Sequence, residues 1–421
     1  MNMIGVVILT ALLLDLALNA VADYLNLKTL GHDLPEEFRD VYDKERYLRS
    51  QEYLQVNTRF GWVIAAVNFL LLLIFWFGNG FQLIDGWVRS WGLSPVPTGV
   101  AYIGFLSLLV AAIGVPFNAY STFVIEERFG FNQTTWSTFF IDKLKGLGIS
   151  LVLGVPLLAG VLAFFEFAGS VAWFYCWGVV TLYMLVVQFI APAWIMPLFN
   201  RFNILEDGEL KEAIFTYARS IDFSLDNIFI MDGSRRSSKS NAFFTGFGRY
   251  KRIVLFDTMI EKHSTAELVA VLAHEMGHFK RKHILKSLLI AIGQSGLMFY
   301  MLSIVISYPG LFKAFFMDTP SVYTGLVFFA LLYSPFDVIT GLFLRKLSRK
   351  NEYEADRFAA ATTRDPQAMV TALKKLSVHN LSNLRPHPFY VFLNYTHPPV
   401  LARIRAIAQV GIQPLEPVLE T

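Results

Sequence analysis

Two histidines four residues apart, with a glutamate directly after the first, form the run His274-Glu275-Met276-Gly277-His278. On an α-helix, residues four apart share a face. Both imidazoles can therefore reach one metal ion, and Glu275 stands beside them to take a proton from water. Two imidazoles, a third donor and an open position make a catalytic zinc site rather than a structural one, with one Zn2+ per chain. The bland reading of such a run is a polar turn on a surface helix. Its neighbourhood speaks against that. Ser264-Thr265-Ala266-Glu267 reads as a capping box that starts a helix, and the residues before His274 are almost all apolar.

The third donor must come from another part of the chain. In Ser348-Arg349-Lys350-Asn351-Glu352-Tyr353-Glu354-Ala355-Asp356-Arg357, Glu352 and Asp356 share a helical face while Glu354 points elsewhere. Glu352 can ligate zinc, and Asp356 can accept a hydrogen bond from a ligating histidine and fix its tautomer. The alternative is a solvated charged helix. His397, in Asn394-Tyr395-Thr396-His397-Pro398-Pro399, is a further candidate, because an imidazole near the metal can stabilise an oxyanion. Arg403 can pair with Asp356 or with a substrate carboxylate. His32, His263, His283, His379 and His387 have no motif context, and His283 is expected at the basic end of the metal helix, at the membrane surface.

The elements that hold these residues are set by composition. Of 421 residues, 54% are hydrophobic and 16% charged, against roughly 25% charged in soluble proteins. Mean hydropathy is +0.47. The chain is expected to be a mainly α, polytopic membrane protein. A net charge of +3, spread along the chain, gives no argument for nucleic acid, and the lone Cys176 excludes both an internal disulfide and a zinc site built from several cysteines. Seven stretches are long enough to span a bilayer: Met3–Ala22, Gly61–Phe81, Thr98–Asn118, Leu147–Ala168, Val171–Met196, Ile284–Tyr308 and Tyr323–Leu344. The first lacks a basic leading region and is long for a signal peptide, so it reads as a retained span. Asp15, Asn68, Glu166, Gln188, Gln294 and Asp337 lie within spans, facing either a hydrated cavity or one another across helices.

Loop charges set the orientation. Residues 23–59, 119–146, 197–283 and the tail after Leu344 are rich in Lys and Arg, while the alternate loops hold only Arg89 and Lys313. The basic loops are therefore expected in the cytoplasm. Residues 1–196 read as five spans with their loops, 197–283 and 345–421 as two halves of one soluble domain, and 284–344 as the last two spans. Within the first half, Glu209–Ser220 reads as an amphipathic helix. Asn227–Met231, Asn241–Gly246 and Arg252–Phe256 read as strands, the last two joined by a short glycine-containing turn. Such strands are either a substrate-docking edge or simply core.

Together these pieces resemble the integral-membrane zinc metalloproteases of the CAAX prenyl protease 1 type. The resemblance rests on Asn241-Ala242-Phe243-Phe244-Thr245-Gly246, Arg252 to Thr258, His274 to His278, Asn351-Glu352-Tyr353-Glu354-Ala355-Asp356, Thr396-His397-Pro398-Pro399 and Pro197-Leu198-Phe199-Asn200, and covers nearly the whole chain. It implies about seven helices enclosing a water-filled chamber, capped by a small α+β gluzincin-like domain. It also implies zinc held by His274, His278 and Glu352, with Glu275 as general base, Asp356 behind a ligand, and His397 and Arg403 as substrate-side or transition-state contacts. Asn241, Ala242, Phe243 and Phe244 would lie on the strand that holds substrate backbone. The implied reaction removes the last three residues of a prenylated Cys-a-a-X terminus. The expected partners are a peptide or protein substrate, prenylated or membrane-associated, and the lipid bilayer. No C-terminal dilysine-type signal is seen, the chain ending Val418-Leu419-Glu420-Thr421. The expected location is a bacterial inner membrane or, in a eukaryote, the endoplasmic reticulum membrane. Two rival readings are a broad quality-control membrane protease and a non-catalytic zinc-binding membrane protein.

Overall fold

The structure is a computed structural model and describes residues 1–31, 33–245 and 252–410. Among these residues, seven helices are long and apolar enough to cross a membrane: Met3–Leu27, Lys44–Phe77, Pro95–Glu126, Trp136–Phe167, Gly169–Phe199, His283–Val305 and Val322–Thr363, called spans one to seven below. Their outer faces are apolar and uncovered, as at Ile74, Val110 and Phe343, which suits a hydrocarbon surrounding.

Several spans outrun the hydropathy pattern, because hydropathy marks where a helix meets lipid and not where its hydrogen-bond ladder ends. Span two starts at Lys44, where the Asp43 carboxylate accepts from the Arg46 amide. It ends at Phe77, and Asn79 in the left-handed region starts a separate helix, Gly80–Arg89, so Phe81 is not part of the span. Span seven runs for 42 residues without a break. The expected division at Leu344 and Arg345 therefore falls inside one helix, and the charged segment beyond it is that same helix leaving the membrane.

The segment between spans five and six holds a small sheet and the metal helix. A four-stranded sheet has the order β1 (Phe202–Ile204), β2 (Asn227–Met231), β4 (Arg252–Phe256), β3 (Ala242–Thr245). β2 and β4 are parallel; β1 and β3 are antiparallel edge strands. Asn241 precedes β3, and Gly246 and the expected turn lie outside the described residues. The sheet packs on the helix Glu209–Ser220 and on the metal helix Thr265–Lys280 through Ile214, Ile228, Ile253, Leu255, Leu272 and Met276. This core fixes the metal helix from below. Span seven fixes it from the side, and the contact is close: a Cβ on Gly277 would lie 3.0 Å from Phe358 and 3.3 Å from the Ala355 Cα.

Candidate metal centre

The metal helix begins as its sequence indicates. Ser264 and Glu267 form a reciprocal capping box, and Lys375 pairs with Glu267 to tie the helix start to its neighbour. Nine of its sixteen residues are buried, His274 among them. Its end is fixed by Lys282 in the left-handed region, which turns the chain directly into span six. His283 is thus the first residue of span six. It is 3% exposed, not placed at the membrane surface as expected.

His274, His278 and Glu352 converge. His274 Nε2 and His278 Nε2 are 3.1 Å apart, and the two Glu352 oxygens lie 3.3 Å from His278 Nε2 and 3.4 Å from His274 Nε2. Ligand atoms about 2.0–2.1 Å from a tetrahedral zinc stand about 3.3 Å apart, so the three donors already have the edges of such a site. Glu352 is buried, and its Oε2 receives no hydrogen bond among the described residues. An acceptor left open in this way fits a cation. Burial alone would lower the His274 imidazole, but the Asp356 and Glu352 carboxylates outweigh it and push it up to about 9. Burial raises the Glu275 carboxyl above the usual carboxylate range, with both imidazoles pulling the other way.

Behind the ligands stands a second layer. Asp356 Oδ1 is 2.9 Å from His274 Nδ1, where it fixes the ring so that Nε2 faces the centre. Arg403 holds Asp356 with two hydrogen bonds, of 2.8 and 2.6 Å, and its remaining edge lies 3.7 Å from Glu352. Of the two partners open to it in the sequence, Arg403 takes Asp356. Its side chain is only 11% exposed.

His397 is exposed, with Nε2 3.4 Å from Glu352 Oε1. The segment carrying it is tied down by Arg349 of span seven, which donates to the Val391 and Tyr395 carbonyls. Phe244 of β3 packs on Phe279, next after His278, with ring centroids 5.5 Å apart, so the edge strand runs beside the metal helix. The opposite side of the site opens into a cavity of about 750 Å³ between spans five, six and seven, lined by His278, Glu352, Gln188, Gln294 and Arg345 among others.

Sequence reasoning missed one connection. His278 Nδ1 lies 3.1 Å from His283 Nδ1, and His283 Nε2 lies 3.1 Å from Glu354. With His278 ligating through Nε2, one proton arrangement satisfies both contacts: His278 Nδ1–H donates to His283, and His283 Nε2–H donates to Glu354. Glu354 does point away from the ligand face, as its spacing requires, and that is how it reaches His283.

The chain is similar to proteins of known family. The family description of a CAAX prenyl protease N-terminal region with five membrane helices matches residues 23–201, and that of peptidase family M48 matches residues 205–410. The chain is 35% identical over 396 residues to a CAAX prenyl protease 1 homolog of Arabidopsis thaliana, covering 91% of this chain and 93% of the relative. It is 32% identical to the CAAX prenyl protease 1 of Saccharomyces cerevisiae, covering 90% and 89%. A crystal structure of S. mikatae Ste24p superposes with a TM-score of 0.92 at 30% identity, over 97% of this chain and 99% of that one. With seven candidate membrane helices and a metallopeptidase's residues assembled at one end of them, the chain belongs to the CAAX prenyl protease 1 family of membrane metalloproteases, within peptidase family M48.

Proposed function

We propose that this protein uses one zinc ion, held by His274, His278 and Glu352, to hydrolyse a peptide bond near the C-terminus of a prenylated Cys-a-a-X substrate, releasing the last three residues. The observation that carries the reading is the convergence of those three donors, with Glu275 beside them, at the mouth of a cavity between membrane spans. Zinc, when bound there, supplies a Lewis acid that polarises the scissile carbonyl and acidifies water. Glu275 takes the proton from the attacking water and delivers it to the leaving amine. The exposed His397 imidazole is placed to donate to the developing oxyanion. Among the described residues the outer edge of β3 pairs with no other strand, and an extended peptide can lie along it beside Asn241, Ala242, Phe243 and Phe244. A prenyl chain has apolar surface to rest on in the cavity. The excess of Lys and Arg in the loops at this end supports a cytoplasmic orientation for it, the side on which such C-termini are made.

Detergent-purified protein should cleave a farnesylated Cys-a-a-X peptide and lose that activity with a zinc chelator or with Glu275→Ala. Equal cleavage of the peptide lacking the lipid would replace the prenyl-specific reading with a broad membrane protease. Zinc binding with no hydrolysis of either peptide would replace it with a non-catalytic one.

A further inference from the structure

The junction of the metal helix with span six carries charges that the hydrolytic machinery does not use. The chain there reads Lys280-Arg281-Lys282-His283-Ile284-Leu285-Lys286. Lys280 donates to the Asp222 carbonyl at 2.8 Å. Arg281, Lys282 and Lys286 are exposed, and among the described residues their side chains have no hydrogen-bond or ion-pair partner. Glu354, the carboxylate that feels the Lys286 charge, already takes the His283 ring and faces Lys350 at 3.7 Å. Cations clustered where a helix enters the membrane attract anionic headgroups.

What lies along the helix from these cations defines the ligand. Lys286, Leu289, Gly293, Leu297 and Ile304 follow one another at spacings of three, four or seven, so they share one face of span six. Leu289, Leu297 and Ile304 are exposed, and a Cβ on Gly293 would meet nothing within 4 Å, so the stripe is open in its middle. Ile284, Leu288 and Ala291, which line the cavity, lie on the opposite face. The stripe therefore faces hydrocarbon and turns away from the metal donors, which sets it apart from any path of the substrate. From Lys286 to Leu297 is about 16 Å along the axis, close to one leaflet's half of a hydrocarbon core about 30 Å thick. A soluble anion would use the cations and leave the stripe bare. We propose that this face of span six seats an anionic phospholipid, with its headgroup on Arg281, Lys282 and Lys286 and an acyl chain laid over Gly293 between Leu289 and Leu297. The lipid offsets the repulsion of like charges at the corner. That corner also holds His283 against His278, 3.1 Å away, so the bound lipid ties down the end of the metal helix.

Lipid binding needs neither zinc nor cleavage, and is measured without them. Detergent-purified full-length protein is titrated with phosphatidylglycerol and with phosphatidylcholine of the same acyl chains, and bound lipid is counted by native mass spectrometry. Each such cation is worth about fivefold beside an anionic headgroup, so three should favour phosphatidylglycerol about a hundredfold. Lys286→Gln and Lys282→Asn should each lower that preference about fivefold; asparagine suits the left-handed backbone at Lys282. Lys313→Gln, which removes an exposed cation beyond the far end of span six, should leave it unchanged. Gly293→Leu should weaken both lipids alike by filling the place of the chain. Equal binding of the two lipids by wild type overturns the seat. So does a double variant, Lys282→Asn with Lys286→Gln, that keeps the wild-type ratio. Glycerophosphoglycerol, the same headgroup without chains, should not compete; if it competes at equal concentration, the ligand is a soluble anion and the lipid seat falls. The wild-type comparisons need no variant, so a variant that fails to fold does not shield the proposal.

Discussion

A buried carboxylate cluster meets span seven near each of its ends, Asp85 from the helix Gly80–Arg89 at one and its own Glu352 and Asp356 at the other, and the two are built differently. Near its start, Asp85 is 1% exposed and saturated: the Tyr323 hydroxyl donates to one oxygen and Arg89 to the other at 2.8 Å. Near its far end, Asp356 is equally buried and gripped by Arg403, but the neighbouring Glu352 keeps one oxygen without a donor among the described residues while two imidazoles face it. Both clusters offset the cost of a buried charge by pairing it. The first closes on itself and holds helices together. The second stops short of closure, and the open valence is the site.

The largest effect that tests this contrast removes no ligand at all. Glu275→Ala should lower hydrolysis by about 10²–10⁴-fold or more while zinc content and thermal stability stay as in wild type. Substantial residual turnover would remove Glu275 from the reaction. Next, Arg403→Ala should cost about 3–5 kcal/mol in stability, because it strands the Asp356 charge in the interior; a melting temperature within a degree of wild type would mean that the pair is solvated. Asp85→Asn and Asp356→Asn then divide the two clusters. Asp356→Asn should weaken zinc affinity about 10–100-fold, read by chelator competition, whereas Asp85→Asn should change stability alone. A weaker fall in zinc affinity is expected for His283→Phe, which cuts the line from His278 to Glu354. An unchanged affinity would make that line packing only.

The smallest effect is one of pH. His379, outside the spans, is half-buried and held down to about 4 by its burial and by the Lys262 and Arg46 charges; His263 is lowered too, mainly by burial. Such groups are neutral in the folded protein and accept protons first in the unfolded one. Their stabilisation is complete above about pH 6.5 and is lost as pH falls towards 4. The wild type should therefore lose more melting temperature than His379→Gln across that window. Parallel curves would show that His379 does not contribute.

The juxtaposition of His274, Glu275 and His278 was legible because its signal is local, a fixed spacing on a capped helix. Glu352 and Asp356 were legible once two imidazoles demanded a third donor, since spacing of four separates them from Glu354. Arg403 was only half legible: spacing cannot choose between two partners, and burial chose Asp356. His283 was invisible. It sits beyond a left-handed residue, Lys282, so no helical period links it to the histidine it meets. The spans were found, but their ends were not, since a charged helix outside lipid looks to hydropathy like a loop. β1, three residues long, leaves no alternation to detect.

The unbroken length of span seven has a mechanical consequence. Glu352 lies thirty residues from the helix start, about 45 Å along a rod rooted in lipid. Each degree of tilt would swing its carboxylate by about 0.8 Å, several times the roughly 0.2 Å that a metal–ligand distance tolerates. The contact at Gly277 and the Arg403–Asp356 grip are thus the bearing in which this lever turns or is held. A tilt of the rooted end is therefore felt at the metal donors.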